Sequence, residues 1–192
     1  MAESIKNQVD ALTGFASTED LALQDWCEAG AKEIINLLPQ KLKEKCMAIT
    51  PLTDGNGVDV DSFGEILFVQ RETGASTTIY TPCRKIPSMY GGLAGDSSNM
   101  MYYGTATDPV YWIDGTGDAS KLYIKPDPSA TIDGKIFHVS YPVVNIDTSE
   151  IANFPEEASY LVVLYASMKA LQALMNDKSA ALPSDIDNLI LP

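Results

Sequence analysis

The sequence predicts an α+β fold in which terminal helices form a helical bundle and a small antiparallel β-sheet or sandwich is inserted between them. Three observations predict it. Residues 1–50 carry apolar side chains at helical spacing, residues 51–150 switch to short β-forming runs separated by turn residues, and helical spacing returns over residues 151–176. Residues 177–192 are expected to form a C-terminal tail.

In the first segment, Ser17 and Asp20 are spaced like a helix N-cap and the acid three positions on. Leu23, Trp26, Cys27, Gly30, Ile34, Leu37 and Leu38 then share one helix face, opposite Asp25, Glu28, Lys32 and Asn36. Glu28 is one turn from Lys32 and is expected to pair with it. Gly30 lies on the apolar face, where the missing Cβ permits a close helix crossing. Pro39 ends this helix or starts a second, short one continuing from Lys41 to Ile49.

Turn residues cluster from Pro51 to Gly57. Strands are expected at Ile66 to Val69, Thr77 to Tyr80, Val110 to Ile113, Leu122 to Ile124 and Ile136 to Tyr141, with hairpin turns at Asp114-Gly115 and Asp133-Gly134. The Gly-, Ser- and Met-rich stretch from Ser88 to Thr107 reads as a long loop with a contact role.

Phe154-Pro155-Glu156-Glu157 is a helix start, with acids facing the dipole. The helix that follows, Ala158 to Met175, has almost no polar face. Leu161, Leu164, Tyr165, Met168, Leu171 and Met175 form one stripe; Val162, Val163, Ala166, Ala170 and Ala173 form a second, of smaller residues. One neighbouring helix covers one stripe, so the other requires a partner from outside the chain. The first stripe, together with Leu189, Ile190 and Leu191 at the apolar end, is the candidate interface. Asn176 to Leu182 and Pro183 are expected to break the helix.

The chain has 192 residues and a net charge of −13, spread evenly along its length. An acidic chain lacks the cations that grip nucleic acid or anionic lipid. An acidic wall does suit a channel through which DNA slides. Cys27, Cys46 and Cys83 have neither disulfide nor zinc spacing, which fits a reducing cytoplasm. The start lacks a secretory pattern. Leu161 to Met168, the most apolar run, is too short to span a bilayer, so no membrane partner is expected.

Candidate chemistry is thin. Asp54, Asn56 and Glu65 match positions of a calcium loop, but Val58 and Asp59 stand where an oxygen ligand and a glycine are required, and a turn-rich connector explains the stretch better. The Gly91-Gly92-Leu93-Ala94-Gly95 run lacks the Lys-Ser/Thr of a phosphate loop. His138, the one histidine, falls in a predicted strand and reads as a residue of the sheet's polar face. Tyr102, Tyr103, Tyr111, Trp112 and Tyr123 would make a glycan platform if exposed, and cross-strand core pairs if not. No catalytic, cofactor-binding or metal residue is assigned, and the chain reads as a non-enzyme.

Three stretches, taken in order, resemble a family. They are Thr81-Pro82-Cys83-Arg84-Lys85-Ile86-Pro87; Asp108-Pro109-Val110-Tyr111-Trp112 followed by Lys121 to Pro126; and Asn153 to Glu157 leading into Tyr160 to Leu171. From about Leu67 to Met175 the chain resembles virion structural proteins of marine tailed phages, and more broadly the head-to-tail adaptor (tail tubular A-like) proteins of short-tailed phages. The resemblance implies a twelve-copy ring in the virion neck between portal and tail, assembled in the host cytoplasm. Its partners would be further copies, the portal protein and tail or nozzle proteins, with genomic DNA passing through unread. It carries over no catalytic residue and no cofactor. Adaptors have a C-terminal segment that reaches the portal; here Leu189 to Pro192 would be that segment, or the natural chain runs on. The alternatives are another tail or baseplate component and a glycan-binding β module.

Overall fold

The structure, a computed structural model, describes residues 3–14, 20–75, 78–116 and 119–190, with side chains described as far as residue 178 except at 116. It is mixed α+β, with two small sheets and a long C-terminal helix. The chain divides into two compact units. One comprises residues 1–46 and 141–192, the other residues 47–140.

The first unit is helical. Helix α1 (Ile5–Thr13) starts on Ser4, whose hydroxyl accepts from the Asn7 amide, and stops at Gly14, which takes the left-handed φ of 71°. Helix α2 (Asp20–Leu37) buries Leu23, Cys27, Gly30, Ala31 and Ile35, a stripe rotated slightly from the predicted one. Leu37 is therefore 85% exposed. The proposed cap Ser17 lies outside the described residues. Glu28 does not take up Lys32. Its carboxylate accepts from the Gln24 side chain at 3.1 Å and the Val144 amide at 3.4 Å, while the Lys32 ammonium lies over the Tyr141 ring at 4.9 Å.

The predicted second helix is cut short. After Pro39, α3 (Gln40–Lys43) and one 3-10 turn (Glu44–Cys46) give way to a strand. Helix α4 (Glu156–Ile190) begins directly after Pro155, as its start signal requires, but runs on through Asn176 and Pro183. Helices α1 and α2 both pack along α4. The segment between Tyr141 and Pro155 is tied to α1, with Thr148 and Ile146 carbonyls accepting from the Ile5 and Lys6 amides at 2.9 and 3.0 Å.

Among the described residues the second unit holds eight strands: β1 (Met47–Leu52), β2 (Val58–Asp59), β3 (Ile66–Glu72), β4 (Tyr80–Pro82), β5 (Arg84–Lys85), β6 (Val110–Thr116), β7 (Ala119–Lys125) and β8 (Gly134–Val139). One sheet has the order β1-β8-β3-β4 and the other β2-β7-β6-β5. All pairs are antiparallel except β5 with β6. Leu52, Val69 and Ile136 from the first sheet share a core with Tyr111, Leu122 and Ile124 from the second, which makes the unit a two-sheet sandwich. Gly134 sits at this contact. A Cβ there would lie 2.7 Å from the Ile124 side chain.

Both predicted turns are displaced. Asp114 and Gly115 pair with Lys121 and Ser120 inside the β6–β7 ladder, so they are strand residues. Gly134 belongs to β8, and the bend before it is Ser129–Ile132. The local Asp-Gly pattern marks where a turn is cheap, but cross-strand register decides where it falls. The Ser88–Thr107 stretch starts as a 3-10 helix (Ser88–Gly95) whose Gly91 and Ala94 are buried and whose Gly91 lies hard against Trp112.

Candidate site: an exposed apolar face on helix α4

Helix α4 has two apolar sides, and the helical unit uses one of them. Ala158, Val162, Val163 and Ala166 are buried. The opposite side is bare: Tyr160 is 56% exposed, Leu161 48%, Leu164 37%, Met168 57%, Leu171 41% and Met175 71%. The inward residues are small or β-branched, and α2 comes close at Gly30. A Cβ on Gly30 would stand 2.8 Å from Tyr165 Cδ1.

Of the predicted interface residues, Leu161, Leu164, Met168, Leu171 and Met175 therefore share one exposed face. Tyr165 departs from them. It is half-buried over Gly30, and its hydroxyl donates to Glu33 Oε1 at 3.2 Å. The side chains of Leu189, Ile190 and Leu191 lie outside the described residues.

The start of α4 is pinned by the Lys45–Glu157 ion pair at 2.7 Å. The Lys45 ammonium holds the Glu157 carboxyl below its ordinary pKa of 4.5. A depressed carboxyl contributes stability that is whole above its unfolded pKa and is lost as pH falls through the lower folded value. Lys45→Met is thus expected to lower the melting temperature a little at neutral pH, by the modest amount of an exposed pair, and to leave it unchanged at pH 2, so that the acid limb is flatter, as thermal melts across pH 2–7 would read.

Glu156–Lys178 is long and apolar enough to cross a membrane. The expected limit of Leu161 to Met168 was too short because Lys169 does not end the run; the helix carries it over the Tyr165 ring at 5.4 Å and continues. The side packed on α1 and α2 is nevertheless unavailable to lipid.

Elsewhere the candidate groups are engaged locally. His138 is buried in β8, not on a polar face: its ring stacks on Phe63 at 3.7 Å, Nε2 meets the Thr50 hydroxyl at 3.0 Å and Nδ1 meets the Val139 carbonyl at 3.1 Å. Burial pushes the Cys27 and Cys83 thiols up to about 12, far from a reactive thiolate. Asp54 accepts from the Asn56 amide at 2.9 Å and Asp61 from the Ser120 amide at 3.0 Å, while Val58 and Asp59 pair with β7; the calcium-like stretch is a turn followed by a strand. Among the described residues, no three His, Cys, Asp or Glu side chains group to hold a metal. Tyr111 and Trp112 are buried, Trp112 stacks on Tyr123 at 5.5 Å, and Tyr90 stacks on Tyr102 at 4.2 Å. An open hollow of about 510 Å³ is lined by Asp61, Glu65, Lys85, Ile66 and Ile113 among others.

A second apolar row was not anticipated. Ile49, Phe137 and Phe68 lie side by side across β1, β8 and β3, with the two phenylalanine rings stacked at 4.1 Å and Ile49 53% exposed. The alternation of Phe137 with Ile136 and His138 was the available signal; recognising it needed β1, which reads as helix locally.

No protein-family model matches this chain, and no curated protein matches its sequence.

Proposed function

We propose that this chain is a structural subunit of a tailed-phage virion, a head-to-tail adaptor that forms a ring between portal and tail. The bare apolar face of α4 is the observation that carries the reading. A helix that leaves six large apolar side chains in water is stable in solution only at a cost, and symmetric assembly removes that cost. In this reading the terminal helices act as a bundle that docks on the portal and on neighbouring copies. The sandwich carries the tail or nozzle contacts. The net charge of −13 favours a channel wall that DNA slides past without binding.

A structural role also fits the engaged state of His138 and of the thiols, none of which is poised as a nucleophile. The burial of Tyr111 and Trp112 counts against a glycan platform. Electron microscopy of the particle is the direct test. A ring of this chain between portal and tail is the expected result. Density in the tail or baseplate instead would reassign it within the virion. Absence from the particle, with no complex formed on purified portal, would end the reading.

A further inference from the structure

We propose that Asn56 is a deamidation site, attacked by the backbone nitrogen of Gly57, and that its conversion to aspartate and isoaspartate releases β2 from β7. This does not rest on the adaptor reading. Asn56 is the one asparagine of the chain that glycine follows. Glycine has no Cβ to hinder the approach of its own nitrogen to the side chain before it. Every other asparagine is followed by a bulkier residue. The placement adds to the motif. Asn56 is exposed, in the turn between β1 and β2. Gly57 sits at a φ of 76°, just ahead of the β2–β7 ladder, which begins at Val58. Among the described residues no acceptor takes its N–H. What restrains Asn56 is Asp54, whose carboxylate accepts from the Asn56 backbone N–H at 2.9 Å and from Nδ2 at 3.1 Å. Both residues are exposed, and hydrogen bonds that compete with water add little net stability.

The chemistry needs water alone. The Gly57 nitrogen gives its proton to solvent hydroxide and bonds to Asn56 Cγ. The Cγ–Nδ2 bond breaks, and Nδ2 takes a proton from water and leaves as ammonia. Water then opens the cyclic imide. Attack at Cγ gives aspartate. Attack at the backbone carbonyl carbon of residue 56 gives isoaspartate, whose main chain runs through Cβ and Cγ. One water is consumed, one ammonia is released, and nothing is oxidised or reduced.

Both products disturb the turn. Where an amide donated to the Asp54 carboxylate, a second carboxylate now faces it. Asp127 also lies against this turn: a Cβ on Gly55 would stand 3.1 Å from its Cγ, and Lys125 is already paired with it. Isoaspartate in addition lengthens the main chain by one carbon where there is little room. A Cβ on Gly57 would stand 2.8 Å from the Tyr123 ring and 3.1 Å from the Leu122 carbonyl oxygen. Strand β2 is only Val58 and Asp59, so a shift at its entry has little ladder to resist it, and the next residue, Val60, belongs to the core.

The test ages the full folded chain in mildly alkaline heavy-oxygen water and maps its peptides by mass. Position 56 is expected to convert ahead of every other asparagine, to take up one heavy oxygen, and to convert more slowly in mildly acidic buffer. An isoaspartyl methyltransferase assay should find isoaspartate in the product. The aged chain is expected to unfold at a lower urea midpoint. The Val60 amide, which donates to the Ser120 carbonyl at 2.9 Å, should lose hydrogen-exchange protection. Asn56→Gln, whose longer side chain closes the ring far less readily, should keep both the midpoint and the protection through ageing. Asn56→Asp should show the charge-driven part of the loss without ageing. Conversion in the urea-unfolded chain with position 56 intact in the folded one would mean that the turn shields it, and overturns the proposal. So does earlier conversion at another asparagine, and so does conversion at position 56 that leaves the Val60 amide fully protected.

Discussion

Gly30→Val is expected to cost the helical unit about 3 kcal/mol, read as a lower urea midpoint. A Cβ at position 30 would stand 2.8 Å from Tyr165 Cδ1, 3.0 Å from its Cγ and 3.2 Å from its Cβ. Because the root of the tyrosine is struck as well as its ring, a change of rotamer at the ring end does not relieve the clash. Helices α2 and α4 must separate, and the small side chains behind Tyr165 then lose contact. Alanine is a sharper probe. Its helix propensity exceeds that of glycine by about 1 kcal/mol, so any net loss on Gly30→Ala measures the closeness of the crossing directly. Adding Tyr165→Ala to Gly30→Val should recover part of the loss, with a coupling of about 1–2 kcal/mol in a double-mutant cycle. Full stability in Gly30→Ala would mean that the helices do not meet this closely.

Arg71→Met is expected to destabilise the sandwich by about 3 kcal/mol or more. Arg71 is only 4% exposed. Its Nε donates to the Pro126 carbonyl at 2.8 Å, Nη1 to the Glu72 carbonyl at 2.7 Å and Nη2 to the Asp127 carbonyl at 3.5 Å. Burial lowers its pKa, opposed by Cys83, Asp127 and Glu72, yet a guanidinium remains charged throughout the working range. Methionine fills much of the volume but leaves buried carbonyls without donors. Lysine is expected to rescue little, since a single ammonium cannot reproduce a planar fork that reaches carbonyls on two segments. Hydrogen exchange should show the loss first at the backbone amides around residue 127. Wild-type stability in Arg71→Lys would refute this account. Beside it, buried Glu72 accepts from the Thr78 amide at 2.9 Å, steadying a residue at a φ of 51°.

How much of this was legible differs from residue to residue. Gly30 on an apolar stripe signalled a close crossing, but nothing local named Tyr165, 135 positions away, as the residue it admits. The strands with repeated β-branched or aromatic residues were readable: β3, β6, β7 and β8 carry their own pattern. Strand β1 was not, because Met47-Ala48-Ile49 after a helical stretch continues a helix by composition, and only pairing with β8 makes it a strand. Strand β5 is two residues, Arg84 and Lys85, and exists because β6 lies parallel to it. His138 was misplaced for a related reason. Polar chemistry suggested an outward position, but Thr50 on β1 and the Val139 carbonyl satisfy both ring nitrogens inside the sheet.

What the sequence determined alone was the order of textures, helical then β then helical, and the existence of two apolar stripes on the last helix. These follow from local periodicity and from proline and glycine placement, which neighbouring residues settle among themselves. Tertiary structure decided which stripe is spent. Close packing rewards the side that lets two backbones approach, so Val162, Val163 and Ala166 go inward, Tyr165 lies over Gly30, and Leu161, Leu164, Met168, Leu171 and Met175 stay in solvent. That choice depends on the shape of a partner surface folded from distant residues, and shape is not written in the period of any one segment.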